Sequence, residues 1–306
     1  MVEVTGVTKR YGSLLAVDDI SFSVGRGEVF GFIGPNGAGK TTTMRILTGF
    51  IPATYGVAKI DGFDVFENPQ EVKKRVGYLP ETPPLYLDLS VGDYLRFVAE
   101  IRGISRTNRL RRVGEVMEQV GLDGWEDRIL GSLSKGYRQR VGIAQAIVHK
   151  PSLLILDEPT SGLDPVQTLG VRELIQGLES TVILSTHILS EVEALCSSVA
   201  MINKGKIAAS GTVGELCKRA GLPGYRVVVE SVEGPFSDLG IVAAKIGGLS
   251  SVETVTKDGD SLLISSSNDP RSDVASLCVE SGWRLLALEE NVPTLSDAFV
   301  AVVEGA

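Results

Sequence analysis

Apolar and polar positions alternate over residues 2 to 7 and 17 to 24, the period-2 pattern of strands with one buried face, and the pair predicts an antiparallel sheet at the start of the chain. The pattern then changes. Glu28-Val29-Phe30-Gly31-Phe32-Ile33, Leu153-Leu154-Ile155-Leu156, Thr181-Val182-Ile183-Leu184 and Val199-Ala200-Met201-Ile202 are apolar runs without alternation, as expected for strands covered on both faces. Helical spacing separates them, as over 165 to 178, so an α/β core around a mostly parallel sheet is predicted. Between Glu81 and Lys150 the strand signals fade. Residues 91 to 102, 108 to 120 and 137 to 149 carry the helical period, which predicts a helical insertion over about 82 to 150.

A break follows at Ala220-Gly221-Leu222-Pro223-Gly224. Beyond it the pattern predicts strand 225 to 231, helix 237 to 247, strands 251 to 257 and 261 to 266 joined at Asp258-Gly259, helix 271 to 281 and strand 284 to 289. That order, β-α-β-β-α-β, is the split βαβ arrangement of ferredoxin-like α+β domains, here followed by a helix over 294 to 304. The expected domains are therefore 1 to 219 and 220 to 306.

Composition narrows the class. With 306 residues, 43% hydrophobic and 22% charged, the chain has the length for two globular domains, each with a core. No run approaches 18 consecutive apolar residues and the first residues lack an apolar stretch of signal-peptide type, so a cytoplasmic location is expected. A net charge of −8 argues against a nucleic-acid-binding surface as the main business of the fold. Cys196, Cys217 and Cys278 lack C-x-x-C spacing and are expected as reduced thiols.

Three motifs carry chemistry. Residues 34 to 42 read Gly34-Pro35-Asn36-Gly37-Ala38-Gly39-Lys40-Thr41-Thr42, of the form G-x-x-x-x-G-K-T, between an apolar strand and a helical run. Glycines let backbone N–H groups curl around phosphate oxygens, the helix N-terminus adds its positive end, Lys40 reaches the β/γ-phosphates and the Thr41 hydroxyl ligates Mg²⁺. The apolar run 153 to 156 ends in Asp157 and Glu158, and a parallel strand delivers its C-terminal end beside the phosphate loop. Asp157 is thus the expected metal contact, and Glu158 the group that polarises the water attacking the γ-phosphate. Leu133-Ser134-Lys135-Gly136-Tyr137-Arg138-Gln139-Arg140 opens a helix with a small-residue turn, a second phosphate grip that taken alone would be a plain helix cap.

Residues 133 to 140, shortly before the acidic strand, resemble the signature motif of ATP-binding cassette ATPases, and the resemblance covers 1 to about 215. It implies a P-loop NTPase cassette: a RecA-like parallel sheet, an antiparallel N-terminal sheet and a helical insertion. ATP and Mg²⁺ are the implied cofactors. Tyr11 falls in the place of the aromatic that stacks on adenine, although a hairpin or core tyrosine is the alternative. Ser161-Gly162-Leu163-Asp164 matches the loop that crosses to the partner subunit, and His187 matches the histidine that contacts the γ-phosphate. His149 is assigned a structural role.

Two positions depart from the family pattern. Glu81 ends Val76-Gly77-Tyr78-Leu79-Pro80-Glu81, where most members have glutamine; it still offers an oxygen toward Mg²⁺ but adds negative charge. Lys135-Gly136-Tyr137 stands where many read Gly-Gly-Gln. Both, together with the tail Pro293 to Phe299, are similar to the single-cassette ATPases of export permeases for drugs, lipids, polysaccharides or gliding-motility components. The implied partners are an integral-membrane permease, met near Glu81 and residues 85 to 95, and a second copy of the chain in a head-to-tail homodimer on ATP binding. No nucleic acid is expected, and the membrane only through the permease, at the cytoplasmic face. Arg102, Arg106, Arg109, Arg111 and Arg112 read as a solvated helical face. An import ATPase is the nearer alternative. A soluble cassette of DNA repair or the ribosome would bring heptads or a second phosphate loop, and a kinase has no reason to own 133 to 140.

Overall fold

The computed structural model describes residues 1–220, 224–231, 239–266, 268–291 and 293–304. The alternating N-terminal runs form β1 (Val2–Tyr11) and β2 (Leu14–Val24), antiparallel, with Val2 opposite Val24 and Tyr11 opposite Leu14. Both are longer than the runs that predicted them, because the ladder continues through polar Lys9 and Arg10. Next come β3 (Val29–Ile33), α1 (Lys40–Leu47), β4 (Tyr55–Ile60), β5 (Phe63–Asp64), α2 (Pro69–Arg75) and β6 (Val76–Leu79). The sequence pattern did not announce β4, since Tyr55 and Val57 on its exposed face are as apolar as the buried Ala58 and Ile60, which hides the alternation.

The predicted insertion contains α3 (Val91–Ile101), α4 (Arg106–Gln119) and α5 (Lys135–Ile147). The chain returns through β7 (Leu153–Asp157), α6 (Pro165–Gln176), β8 (Thr181–Thr186), α7 (Leu189–Leu195), β9 (Ser198–Asn203), β10 (Lys206–Thr212) and α8 (Val213–Ala220). A six-stranded sheet runs β10-β9-β3-β8-β7-β6, parallel from β9 to β6, and a second sheet runs β2-β1-β4-β5. Val4, Ile20 and Ile60 of the antiparallel sheet join Phe30, Phe32 and Ile155 of the parallel one in a single core. Phe22 stacks on Phe30 with ring centres 5.6 Å apart.

Of the arginines expected on a solvated face, Arg106 and Arg111 are exposed, whereas Arg102, Arg109 and Arg112 are half-buried. Arg112 spans α4 and α5, donating from Nε to the Val148 carbonyl at 2.7 Å and from Nη2 to that of Ile147 at 2.8 Å. Arg109 pairs with Glu100 at 2.7 Å and Arg102 donates to the Lys73 carbonyl at 2.9 Å. These side chains are ties: Arg112 meets carbonyls that the end of α5 leaves open, Arg102 one in α2, and Arg109 the Glu100 carboxylate of α3.

The chain divides into two compact units, Met1–Val213 and Gly214–Gly305, so α8 groups with the second and not with the cassette. The second unit contains β11 (Gly224–Ser231), α9 (Gly240–Ile246), β12 (Thr254–Asp258), β13 (Ser261–Ser265), α10 (Arg271–Glu280), β14 (Trp283–Asn291) and α11 (Leu295–Glu304). Its sheet order, β12-β13-β11-β14, antiparallel throughout, is that of a ferredoxin-like fold. Val227, Val229, Leu262 and Ile264 face Val242, Ile246, Val274 and Cys278 of α9 and α10 in a separate core. Residues 221 to 223 of the expected break, and 237 and 238 of the expected helix, lie outside the described residues.

Candidate nucleotide site

The phosphate loop leaves the end of β3, in the interior of the parallel sheet, and its glycines are dictated by contact. A Cβ on Gly34 would collide with the Ile202 carbonyl, and Gly39, with φ of 111°, caps α1 where a Cβ would meet the Ala16 oxygen at 2.7 Å. The Gly205 N–H donates to the Ala38 carbonyl at 3.0 Å and the Asp18 N–H to the Gly205 carbonyl at 2.8 Å, which ties the loop to β2 and to the β9–β10 turn. Lys40 is 7% exposed and folds back over the loop, donating to the Gly34 carbonyl at 2.7 Å. Burial holds its pKa below the usual lysine value, against the pull of Glu158 and Asp157. Asn36, Gly37 and Thr41 are exposed and Thr42 half-buried. Tyr11, paired with Leu14 at the tip of the β1–β2 hairpin, is 44% exposed and no core residue; the Lys9 ammonium lies 5.2 Å from its ring centre.

Strand order brings the motifs together. β8 lies between β3 and β7, with Ile33 opposite Thr186 and Asp157 opposite Ser185, so the phosphate loop, His187 and the two carboxylates emerge side by side. Asp157 is 1% exposed and accepts from the Ser185 hydroxyl at 2.7 Å and from Thr41. Burial pushes its carboxyl pKa up, the two hydroxyl bonds oppose this, and the charges of Glu158 and Glu81 push it up further. Glu158 sits at φ of 50°, a left-handed conformation costly for a side chain with a Cβ, and its N–H is held by the Ser185 carbonyl at 2.8 Å. That turn points its carboxylate back toward the loop. Oε2 is 2.8 Å from Nδ1 of His187, and Oε1 is 3.8 Å from the Lys40 ammonium. His187 keeps 49% of its side chain exposed.

Glu81 stays exposed beyond β6, and its charge reaches both Asp157 and Lys40. Three carboxylates thus surround one buried ammonium, with the Thr41 hydroxyl on Asp157. An all-oxygen set with surplus negative charge suits Mg²⁺. Among the described residues no three His, Cys, Asp or Glu side chains converge tightly enough to hold an ion alone, so the set fits a cation that shares its ligands with phosphates.

A second cluster lies at the starts of α5 and α6. Ser134 caps α5, accepting from the Tyr137 N–H at 3.5 Å, and Asp164 caps α6, accepting from the Gln167 N–H at 2.9 Å. The Gln167 side chain fills the space a Cβ on Gly136 would need. Trp125 stacks on Tyr137 with centres 4.1 Å apart. Among the described residues no hydrogen bond or ion pair joins Ser134 or Gly136 to Lys40 or Glu158.

His149 lies elsewhere, with Nε2 3.1 Å from the Val76 carbonyl and burial pushing its pKa down to about 4. Sequence reasoning missed Ser185, Thr160, Thr186 and Glu191, which line the back of the acidic pair. The available signal was Ser185-Thr186, two hydroxyls closing an otherwise apolar strand just before His187.

Residues 17–161 match the family model described as ABC transporter. The bacitracin transport ATP-binding protein BcrA of Bacillus licheniformis is 43% identical over 211 residues, 68% of each chain. The linearmycin resistance ATP-binding protein LnrL of Bacillus subtilis (strain 168) is 34% identical over 307 residues, 98% of this chain and 97% of that one. Among solved structures, one described as the ATP binding subunit of an ABC transporter superposes with a TM-score of 0.66 at 32% identity, over 72% of this chain and 92% of that chain. Phosphate loop, acidic strand end and signature turn stand in one fold shared with these relatives, and the chain belongs to the ABC transporter family as an ATP-hydrolysing ATP-binding subunit.

Proposed function

We propose that this subunit closes head to tail with a second copy around ATP and drives a separate membrane permease in export. The dimer reading is supported by two helix N-termini, Gly39 capping α1 and Ser134 capping α5, with no hydrogen bond or ion pair among the described residues joining Ser134 or Gly136 to Lys40 or Glu158, so each is read as gripping phosphate from one side. ATP lies between the phosphate loop of one copy and the N-terminus of α5 in the other. Lys40 holds the β/γ-phosphates, Glu158 takes the proton of the attacking water, and His187 sits beside both. Mg²⁺ would be held by Thr41 and Asp157, with Glu81 nearby, and would neutralise charge on the phosphates. Moving the pair from 1:99 to 99:1 closed takes roughly 5.5 kcal/mol of differential binding, supplied by contacts made only in the closed dimer. Hydrolysis removes that bias.

Export is supported by the transport and resistance names of BcrA and LnrL. No helix among the described residues is long and apolar enough to cross a membrane, in keeping with a permease on a separate chain. The contact with it falls near Glu81 and residues 85 to 95, where Tyr86 and Leu87 are exposed.

Glu158→Gln tests the mechanism. Glutamine keeps size and hydrogen bonding but cannot serve as a carboxylate toward water, so with ATP and Mg²⁺ this variant is expected to elute from a sizing column as a homodimer without turnover. Adding Ser134→Arg fills the space for the partner's γ-phosphate and returns it to a monomer that still binds ATP. A Glu158→Gln variant that stays monomeric at saturating ATP refutes closure of the isolated subunit.

A further inference from the structure

Glu191, in the first turn of α7, is a carboxylate only 1% exposed that the ATP-binding motifs do not include. One of its oxygens accepts the hydroxyl of Thr160, and the other lies 3.3 Å from the hydroxyl of Thr186. Arg172 of α6 places a guanidinium nitrogen 4.0 Å away. Its two threonine partners are distinctive in their neighbours: Thr160 is two residues past Glu158, and Thr186 immediately precedes His187. Thr186 Oγ1 accepts the Ile188 N–H at 3.1 Å, which leaves its single proton between two carboxylates, Glu158 Oε2 at 3.4 Å and Glu191 Oε2 at 3.3 Å.

From this sharing we infer that Glu191 is a positioning residue for hydrolysis: by drawing the Thr186 proton and holding Thr160, it fixes the separation of Glu158 and His187 and keeps Glu158 free to accept from water. The inference rests on Glu158 being the group that activates water. Glu191 is 1% exposed and reaches Glu158 only through Thr186, so its loss is expected to act on turnover and not on ATP binding. A carboxylate is required because both threonines approach it as donors. An amide of equal volume has only one accepting oxygen and turns an N–H toward the other hydroxyl.

Steady-state ATPase measurements on the full chain test this, with Glu191→Gln, Thr186→Val, the double variant and Glu158→Gln, each first checked for a cooperative melt. Glu191→Gln is expected to lower kcat roughly tenfold to a hundredfold, with KM for ATP within about twofold of wild type. Thr186→Val should do the same, and it tests the contact with Glu191 in place should Glu191→Gln not fold. The double variant should be no slower than the worse single one, because both act through one hydroxyl. Wild-type kcat in Glu191→Gln, a raised KM at unchanged kcat, or losses that multiply in the double variant would overturn the inference. If Glu158→Gln turns over normally, the assignment of Glu158 falls and takes this one with it. If Glu158→Gln is inactive while Glu191→Gln and Thr186→Val are normal, only the role of Glu191 falls.

Discussion

Every residue of β7 and β8 is buried, whereas β14 in the second unit never carries a fully buried residue and its early positions alternate between partial and full exposure. The parallel sheet is covered on both faces, so polar groups can be presented only where a strand ends, and Asp157, Glu158 and His187 all stand there. The antiparallel sheet packs one face on α9 and α10 and leaves Arg226 and Leu286 outside. Its charges pair locally, as Arg226 with Asp258 at 2.5 Å, with both side chains about half exposed. Coverage on both faces concentrates chemistry; coverage on one face disperses charge.

The contrast is tested most severely at Lys40, the buried cation of the covered sheet. Lys40→Ala removes a desolvated charge from the phosphates and is expected to weaken ATP binding about a thousandfold, ~4 kcal/mol, as titration calorimetry would read. Unchanged affinity would remove the phosphate loop from the site. Leu154 and Leu262, each 0% exposed, ask whether the two sheets differ in energy as well as in chemistry. Leu154→Ala and Leu262→Ala should each cost about 2–5 kcal/mol in urea unfolding, since burial and not sheet type sets the loss. A cost under about 1 kcal/mol for Leu262→Ala would mean the second core is loosely packed.

His149 extends the contrast to pH. Its folded-state pKa of about 4 lies below the ordinary 6.5, so the unfolded chain binds the proton first. The contribution is complete above pH 6.5 and is lost as pH falls toward 4, by up to about 3 kcal/mol. His149→Gln, which keeps a donor for the Val76 carbonyl, should flatten this acid limb of the stability curve. A limb unchanged in the variant would place the titration elsewhere. A smaller effect is expected at exposed Glu81. Glu81→Gln restores the usual family residue and should keep turnover within about tenfold, roughly 1.4 kcal/mol, while complete loss would make Glu81 part of the reaction itself. Least affected is Leu286, 60% exposed in the second sheet. Leu286→Ala should move stability by no more than about 0.5 kcal/mol, and a larger loss would show that this face is covered.

The phosphate loop, the acidic strand end and the signature turn were legible because each is a local string whose chemistry needs fixed neighbours: Gly34 and Gly39 where a Cβ would clash, Lys40 one residue on, Asp157 and Glu158 at the close of an apolar run. The strands β7, β8 and β9 were legible for a related reason, since burial on both faces leaves an unbroken apolar run. β4 was not, because its exposed face is apolar too. Arg102, Arg109 and Arg112 misled, because spacing along a helix does not say which groups of other segments lie within reach of a side chain.

By itself the sequence determined the nucleotide chemistry, the α/β class and the family, because these depend on residue types at short, fixed separations. Only the tertiary structure decided that β8 lies between β3 and β7, and hence that Lys40, Glu158 and His187 share one site. It alone decided that Glu191 stands behind Glu158 through Thr186. Strand order and the meeting of distant side chains follow from how whole elements bury their apolar faces against one another, a sum over many weak contacts that no local string records.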